Sequence, residues 1–230
     1  MKINIIWHLM RDYIYAICKQ VDSIIFPTPP AYYLNRSIDG KNPIILLPGV
    51  YEKWHFFKSI ADRLSSRGHM IYVLDGLGYN TKEISDSAKI VQEFINKKNL
   101  KDVVIIAHSK GGLIGKYVLA FYNAQNNIKK VIAIAAPFGG SNIVKFVPDK
   151  ILGLSPSSDS VKILQKRGDV NDKIVSIFGV FDSHIWPLKS CRLEGAKNIQ
   201  VSVYGHHKIL ADEKVIGIIL DEVRNLQFNI

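Results

Sequence analysis

Six short apolar runs rich in β-branched residues punctuate the chain: 43–47, 70–74, 103–107, 130–135, 173–180 and 199–204. All six read as strands, with 43–47 and 130–135 as buried ones. Between them, apolar positions recur at helical spacing over 53–67, 85–98, 113–124 and 212–226. Gly68 closes the first of these helices, and Ala88, Val91, Phe94 and Ile95 sit near one face of the second. Strands that alternate with helices in this way predict an α/β fold, a mostly parallel sheet with helices on both faces. Right-handed crossovers then gather the strand C-terminal ends along one edge, where ligands bind in open α/β sheets. The residues just past those ends are Gly49 to Tyr51, Asp75, Ser109, Ala136 and Pro137, Asp182 and His206.

The N-terminal stretch from Met1 to Phe26 carries a different pattern. Ile3, Ile5, Ile6, Trp7, Leu9, Met10, Tyr13, Ile14, Ile17, Val21, Ile24 and Ile25 largely repeat at helical spacing. Arg11, Asp12, Lys19 and Asp22 interrupt them, so no uncharged run is long enough to span a bilayer. The same charges, without a small-residue cleavage site, argue against a secretory signal. Packing on the domain is the favoured expectation. Peripheral membrane contact through residues 1–26, with Trp7 and the tyrosines at headgroup level, is the alternative. A Pro-rich link follows at 27–30. The expected organisation is a helix and link over 1–30, then one domain over 31–230 with a short cap segment at about 141–172.

Composition narrows the function classes. Of 230 residues, 47% are hydrophobic and 22% charged, which excludes a disordered chain. The net charge is +10, but the lysines are scattered and no basic stripe is interleaved with aromatics, so no nucleic-acid partner is expected. Cys18 and Cys191 form no metal-ligand spacing and could pair only if the fold brought them together, so a reduced, cytoplasmic setting is the simpler expectation. No motif calls for a metal or another cofactor.

The candidate chemistry lies where the third strand ends. Residues 103–107 run into Ala107-His108-Ser109-Lys110-Gly111-Gly112, and a helical pattern follows at once. A strand, a tight turn and a helix in that order hold a serine hydroxyl exposed above a sheet edge. Small residues at 107 and 111 suit a close strand-to-helix approach, and Gly112 lets the helix pack tightly. The Lys110 N–H, freed at the helix start, can donate to a developing oxyanion. A serine needs an imidazole to take its proton and a carboxylate to orient that imidazole. Asp182 and His206 each follow a strand at the same edge, and the chain order Ser, Asp, His is the α/β-hydrolase order. His207 adjoins His206 as a rival base, with Gly205 favouring His206. Asp75 is the second choice for the acid, although Asp75-Gly76 reads as a turn. His108 reads as a packing residue and His184 as a cleft or surface residue.

Five motifs together resemble the α/β-hydrolases of the small bacterial lipase and esterase type. They are Leu46 to Glu52, Ala107 to Gly112, Ala136 to Ser141, Phe181 to Pro187 and Gly205 to Leu210. The resemblance covers the chain from about residue 43 to the end, and not the N-terminal stretch before it. It implies Ser109 as nucleophile, Asp182 as acid and His206 as base. It also implies an oxyanion hole from the N–H groups of Lys110 and Val50, with Tyr51 as the alternative if the loop shifts by one. Pro48 stands where the family often has histidine, and Ala107 stands at the first elbow glycine. Lys110 replaces an apolar residue. Its ammonium would attract an anionic substrate or, more simply, pair with a neighbouring acid.

The implied activity is hydrolysis of carboxylic esters, small-molecule esters or acyl lipids. An acyltransferase or thioesterase on the same triad is the alternative, and a non-catalytic membrane-associated or binding module is a third reading. One or two short cap helices are expected to border the cleft, with Val144, Phe146, Val147, Ile151, Leu152 and Leu154 as apolar candidates. Tyr51, Trp54, Phe56, Phe57, Tyr79 and Trp186 are candidates for an acyl pocket, with Phe56 and Phe57 equally suited to the core.

Overall fold

All six apolar runs pair into one sheet. A computed structural model describes residues 5–142 and 153–226. The strands are β1 (Ile44–Leu47), β2 (Ile71–Val73), β3 (Val103–His108), β4 (Ile128–Ile134), β5 (Ile174–Phe181) and β6 (Lys197–Tyr204). Their order is β2-β1-β3-β4-β5-β6, and every pairing is parallel. Leu47 lies opposite Ala107, His108 opposite Ile134, and Phe181 opposite Tyr204. The loops that leave β1, β3, β5 and β6 therefore emerge together.

The helices are α1 (Ile5–Ile25), α2 (Tyr32–Asn35), α3 (Lys58–Ser65), α4 (Ile84–Lys97), α5 (Lys110–Phe121), α6 (Asp159–Gln165) and α7 (Glu213–Asn225). Strand alternation splits the core into two layers. Ile44, Leu46, Val104 and Ile106 face α3 and α7 through Ile60, Leu64, Ile216 and Ile219. Ile45, Leu47, Ile105 and Ala107 face α4 and α5 through Val91, Ile95, Leu113 and Val118.

Two helix bounds differ from the expected ones. The expected helix over 53–67 is a 3-10 turn (Trp54–Phe57) followed by α3. Trp54, His55, Phe56 and Phe57 are all buried, and four consecutive buried side chains do not fit the single inward face of an α-helix. The expected helix over 113–124 begins three residues earlier, directly after Ser109, and ends at Phe121. Asn123 then closes a turn, donating to Ile128 O and accepting from Ile128 N.

The cap candidates Val144, Phe146, Val147, Ile151 and Leu152 lie outside the described residues. Within the described part of the cap, α6 is capped by Ser158 and buries Val161 and Leu164 in the α4–α5 core layer, so it does not border the cleft.

Candidate active site

The turn after β3 is built around close approach. Ser109 takes φ 51° and ψ −123°, a conformation that costs a non-glycine residue about 1–3 kcal/mol and persists only where the surroundings enforce it. The enforcement is visible. Ser109 N donates to Ile134 O at 2.9 Å and Gly112 N to Ser109 O at 3.0 Å. A Cβ on Gly111 would lie 2.0 Å from Leu47 O, and one on Gly112 would lie 2.4 Å from Ala136 Cβ. Gly111→Ala is therefore expected to cost about 2–3 kcal/mol of stability. Urea unfolding checks this, and a stability within about 0.5 kcal/mol of the parent would contradict it.

Ser109 and His206 line one cavity of about 330 Å³, together with Val50, Tyr51, Glu52, Phe56, Pro137, Ser141, Leu154, His184, Ile185 and His207. Ala16 and Gln20 of α1 line it as well. Of the expected acyl-pocket aromatics, Tyr51 and Phe56 reach this cavity and Phe57 is core. Trp54 and Tyr79 border a separate hollow with Asp75, so that carboxylate is not at the Ser109 cavity. Trp186 is exposed. A wider hollow of about 530 Å³ lies between α1 and the start of α7 and contains neither Ser109 nor His206.

His206 and Asp182 are paired. The His206 Nδ1 to Asp182 Oδ2 distance is 2.7 Å. A carboxylate only accepts, so Nδ1 carries the proton and Nε2 keeps its lone pair. Asp182 Oδ1 accepts from His184 N at 2.7 Å and Ile185 N at 3.1 Å, which fixes the carboxylate toward His206. Burial pushes the Asp182 carboxyl up to about 6, against the pull of those N–H donors. Burial, with the neighbouring histidines His108, His184 and His207, holds His206 well below the usual imidazole range. His184 stacks on His206, ring centroids 4.6 Å apart.

The rival histidine has a different carboxylate. His207 Nδ1 donates to Glu52 Oε1 at 2.9 Å, and Glu52 Oε2 accepts from His108 Nδ1 at 2.8 Å and Gly49 N at 2.7 Å. Glu52 is buried. Burial alone would raise its pKa, but His108 and then His207 outweigh it and hold the carboxyl well below the usual range. His108 Nε2 lies 2.9 Å from His206 O. Both His108 nitrogens thus face groups that only accept, which makes the ring an imidazolium. Burial opposes that charge, but Glu52 and His206 O prevail and raise the pKa. His108 is therefore more than a packing residue. Its cation ties β3 to the backbone of His206, and its charge disfavours protonation of His206.

Glu52 and Asp12 are site residues that sequence reasoning missed. Asp12 sits on α1 and is fully buried. Its Oδ1 accepts from His207 N at 2.8 Å and Lys208 N at 2.7 Å. A Cβ on Gly205, which has φ 118°, would lie 2.5 Å from the same oxygen. The one signal in the sequence was a carboxylate placed inside an otherwise apolar helical stretch. Glu52 and Asp182 each lie in a cluster that also holds two histidines, with donor atoms within 4.8 Å, namely Glu52, His108, His207 and Asp182, His184, His206. The hydrogen bonds above account for that closeness.

Two expectations about the oxyanion side need correction. Tyr51 N donates to Tyr79 O at 2.8 Å, so that N–H is spent. The Val50 and Lys110 N–H groups have no acceptor among the described residues. The Lys110 ammonium neither faces the cavity nor pairs with an acid. It is buried and donates to the main-chain carbonyls of Asn80, at 3.1 Å, and Lys82. Burial pulls it down to about 8, with Glu83 opposing. Asn80 Nδ2 donates in turn to Pro48 O at 2.6 Å. Lys110 thus pins the 78–82 loop against the loop that carries Val50.

A family model for the alpha/beta hydrolase fold matches residues 42–153. The chain has the α/β-hydrolase fold. An Aspergillus fumigatus lipase B structure superposes with a TM-score of 0.72 at 18% identity, covering 85% of this chain and 55% of that one. A mature Bacillus licheniformis lipase gives 0.64 at 15% identity, covering 83% and 95%. In sequence, the chain is 28% identical over 112 residues to a Mycoplasma pneumoniae protein provisionally named an esterase/lipase. That match spans 46% of this chain and 40% of the relative's length. Within the α/β-hydrolase fold, the loops after β1, β3, β5 and β6 are those that carry Val50, Ser109, Asp182 and His206 here.

Proposed function

We propose that the chain is a serine hydrolase that cleaves carboxylic esters with apolar acyl groups, including acyl lipids. One observation carries the reading. Ser109, on its strained turn, shares a cavity with a histidine whose other nitrogen is locked to a buried carboxylate. In the proposed cycle Ser109 Oγ attacks the ester carbonyl carbon and His206 Nε2 takes the hydroxyl proton. The Val50 and Lys110 N–H groups hold the oxyanion. The tetrahedral adduct expels the alcohol, which takes the proton from His206. Water then repeats the sequence on the acyl-serine and releases the acid. Asp182 keeps the imidazole in the required tautomer and stabilises the transient imidazolium. Val50, Phe56, Leu154 and Ile185 give the acyl chain an apolar wall.

The test is hydrolysis of p-nitrophenyl esters of graded chain length, with product analysis in the presence of an alcohol acceptor and with an acyl thioester. Free acid as the main product, from esters in preference to thioesters, supports the reading. Dominant transfer to the alcohol, or preference for the thioester, replaces it with acyl transfer or thioester cleavage.

The protonation states set the pH profile. A base whose pKa is lowered stays neutral into acid, and Asp182 titrates at about 6. The acidic limb of kcat/KM is therefore expected at or below about pH 6, the apparent value belonging to the pair rather than to one residue. A midpoint at pH 7 or above would contradict the electrostatics.

A further inference from the structure

The helix that roofs the candidate site, α1, leaves an apolar side exposed. Its inward side carries Asp12 on the His206 loop, Tyr15 OH donating to Phe56 O at 3.0 Å, and Gln20 Nε2 donating to Tyr51 O at 2.5 Å. Its outward side carries Ile6, Met10, Ile14, Ile17, Val21 and Ile24, all exposed, and Ile24 is 78% exposed. Those positions recur at three- and four-residue spacing and form one stripe along the helix. An inner side built on a buried carboxylate, with Tyr15 and Ala16 against the core, and a wholly apolar outer stripe depart from the usual amphipathic helix. A stripe of this extent marks an interaction surface.

We propose that this stripe seats on the surface of an anionic phospholipid bilayer, with the mouth of the Ser109 cavity beside it. Charge selects this occupant. Arg11 is exposed on α1 and lies near Lys208 on one flank. Lys53 lies on the other side, its ammonium 4.3 Å from the centre of the Tyr79 ring. Asp22 is paired with Lys19, and Asp212 accepts from the first turn of α7. The whole chain carries +10. Cations flanking an apolar face suit anionic headgroups around an inserted helix. Ala16 and Gln20, on the inner side of the same helix, line the cavity. Tyr51, which also lines the cavity, is exposed, and its ring lies 6.5 Å from that of the exposed Tyr79. No helix among the described residues is long and apolar enough to cross a membrane, so the contact is one of lying on the surface. The docking stands on this geometry alone. The further step, that acyl substrate passes from the bilayer into the cavity, rests on the ester-hydrolase reading.

The test is co-sedimentation of the full chain with two kinds of vesicle. One kind mixes phosphatidylcholine and phosphatidylglycerol at two to one, and the other is phosphatidylcholine alone. The expected result is binding that favours the anionic vesicles by at least about tenfold and weakens in 0.5 M salt, roughly as screening requires. Ile14→Asp with Ile17→Asp should abolish binding while leaving the rate on a short, water-soluble ester unchanged, since neither side chain lines the cavity. No binding to either vesicle overturns the proposal. So does a stable dimer that Ile14→Asp dissociates, since the stripe would then cover a second copy. Ser109→Ala should bind vesicles like the parent. Binding without any esterase activity would therefore fail the catalytic reading and leave the docking intact.

Discussion

Ser109→Ala is expected to lower kcat/KM for a p-nitrophenyl ester by at least about 10⁴-fold with no loss of folded protein. The expectation follows from the division of labour at the cavity. The proposed oxyanion donors are main-chain groups on Val50 and Lys110, and the His206–Asp182 pair is held by bonds that do not involve the serine side chain. Removing Oγ leaves the turn in place, because Ser109 is fixed through its own N–H and carbonyl. The variant therefore removes the proposed nucleophile and little else. Alanine at a positive φ costs no more than serine there, so stability should change by less than about 1 kcal/mol. Residual activity within a factor of about 10 of the parent would mean that another group attacks the ester.

Glu52→Ala should produce the largest loss of stability from a single side chain, about 3–5 kcal/mol. The cause is an orphaned charge rather than a lost contact. Glu52 is buried and accepts from His108, His207 and Gly49 N. Without it, the His108 imidazolium loses its hydrogen-bonded counter-charge and keeps only the weaker pull of Asp182. It must then either lose its proton and one of its two hydrogen bonds, or remain charged in a dry site. The Gly49 N–H loses its acceptor at the same time. Because the Gly49 turn leads to Val50, and His108 donates to His206 O, activity should fall together with the melting temperature. Glu52→Gln should retain part of both, since the amide still offers an acceptor of similar size. An unchanged melting temperature for Glu52→Ala would show that the network carries no stability.

The fold was legible because its central strands β1 and β3 are buried on both faces. Runs such as Val103 to Ala107 have no polar alternation to misread, and their spacing admits a parallel sheet. The turn at Ser109 was legible for a similar reason, since only small residues at 107, 111 and 112 allow strand and helix to meet. The network behind the base was not legible. Glu52 and His108 are 56 positions apart, and Asp12 and His207 are 195 apart. No local periodicity encodes such pairs. The 3-10 turn at Trp54 was hidden because His55 reads as a polar position, so the burial of all four side chains was not visible in the sequence. For α1, spacing revealed the stripe but not the side that faces the domain. That is decided by the His206 loop, whose free N–H groups at His207 and Lys208 recruit Asp12.

Everything proposed for the cavity depends on Ser109 being the group that His206 activates. The most direct measurement is reaction of the intact protein with a fluorophosphonate, followed by peptide mass spectrometry to locate the adduct. The expected result is a single phosphonylated residue, Ser109, with labelling lost in Ser109→Ala and strongly slowed in His206→Ala. An adduct on any other residue, or no adduct on the folded protein, would contradict it.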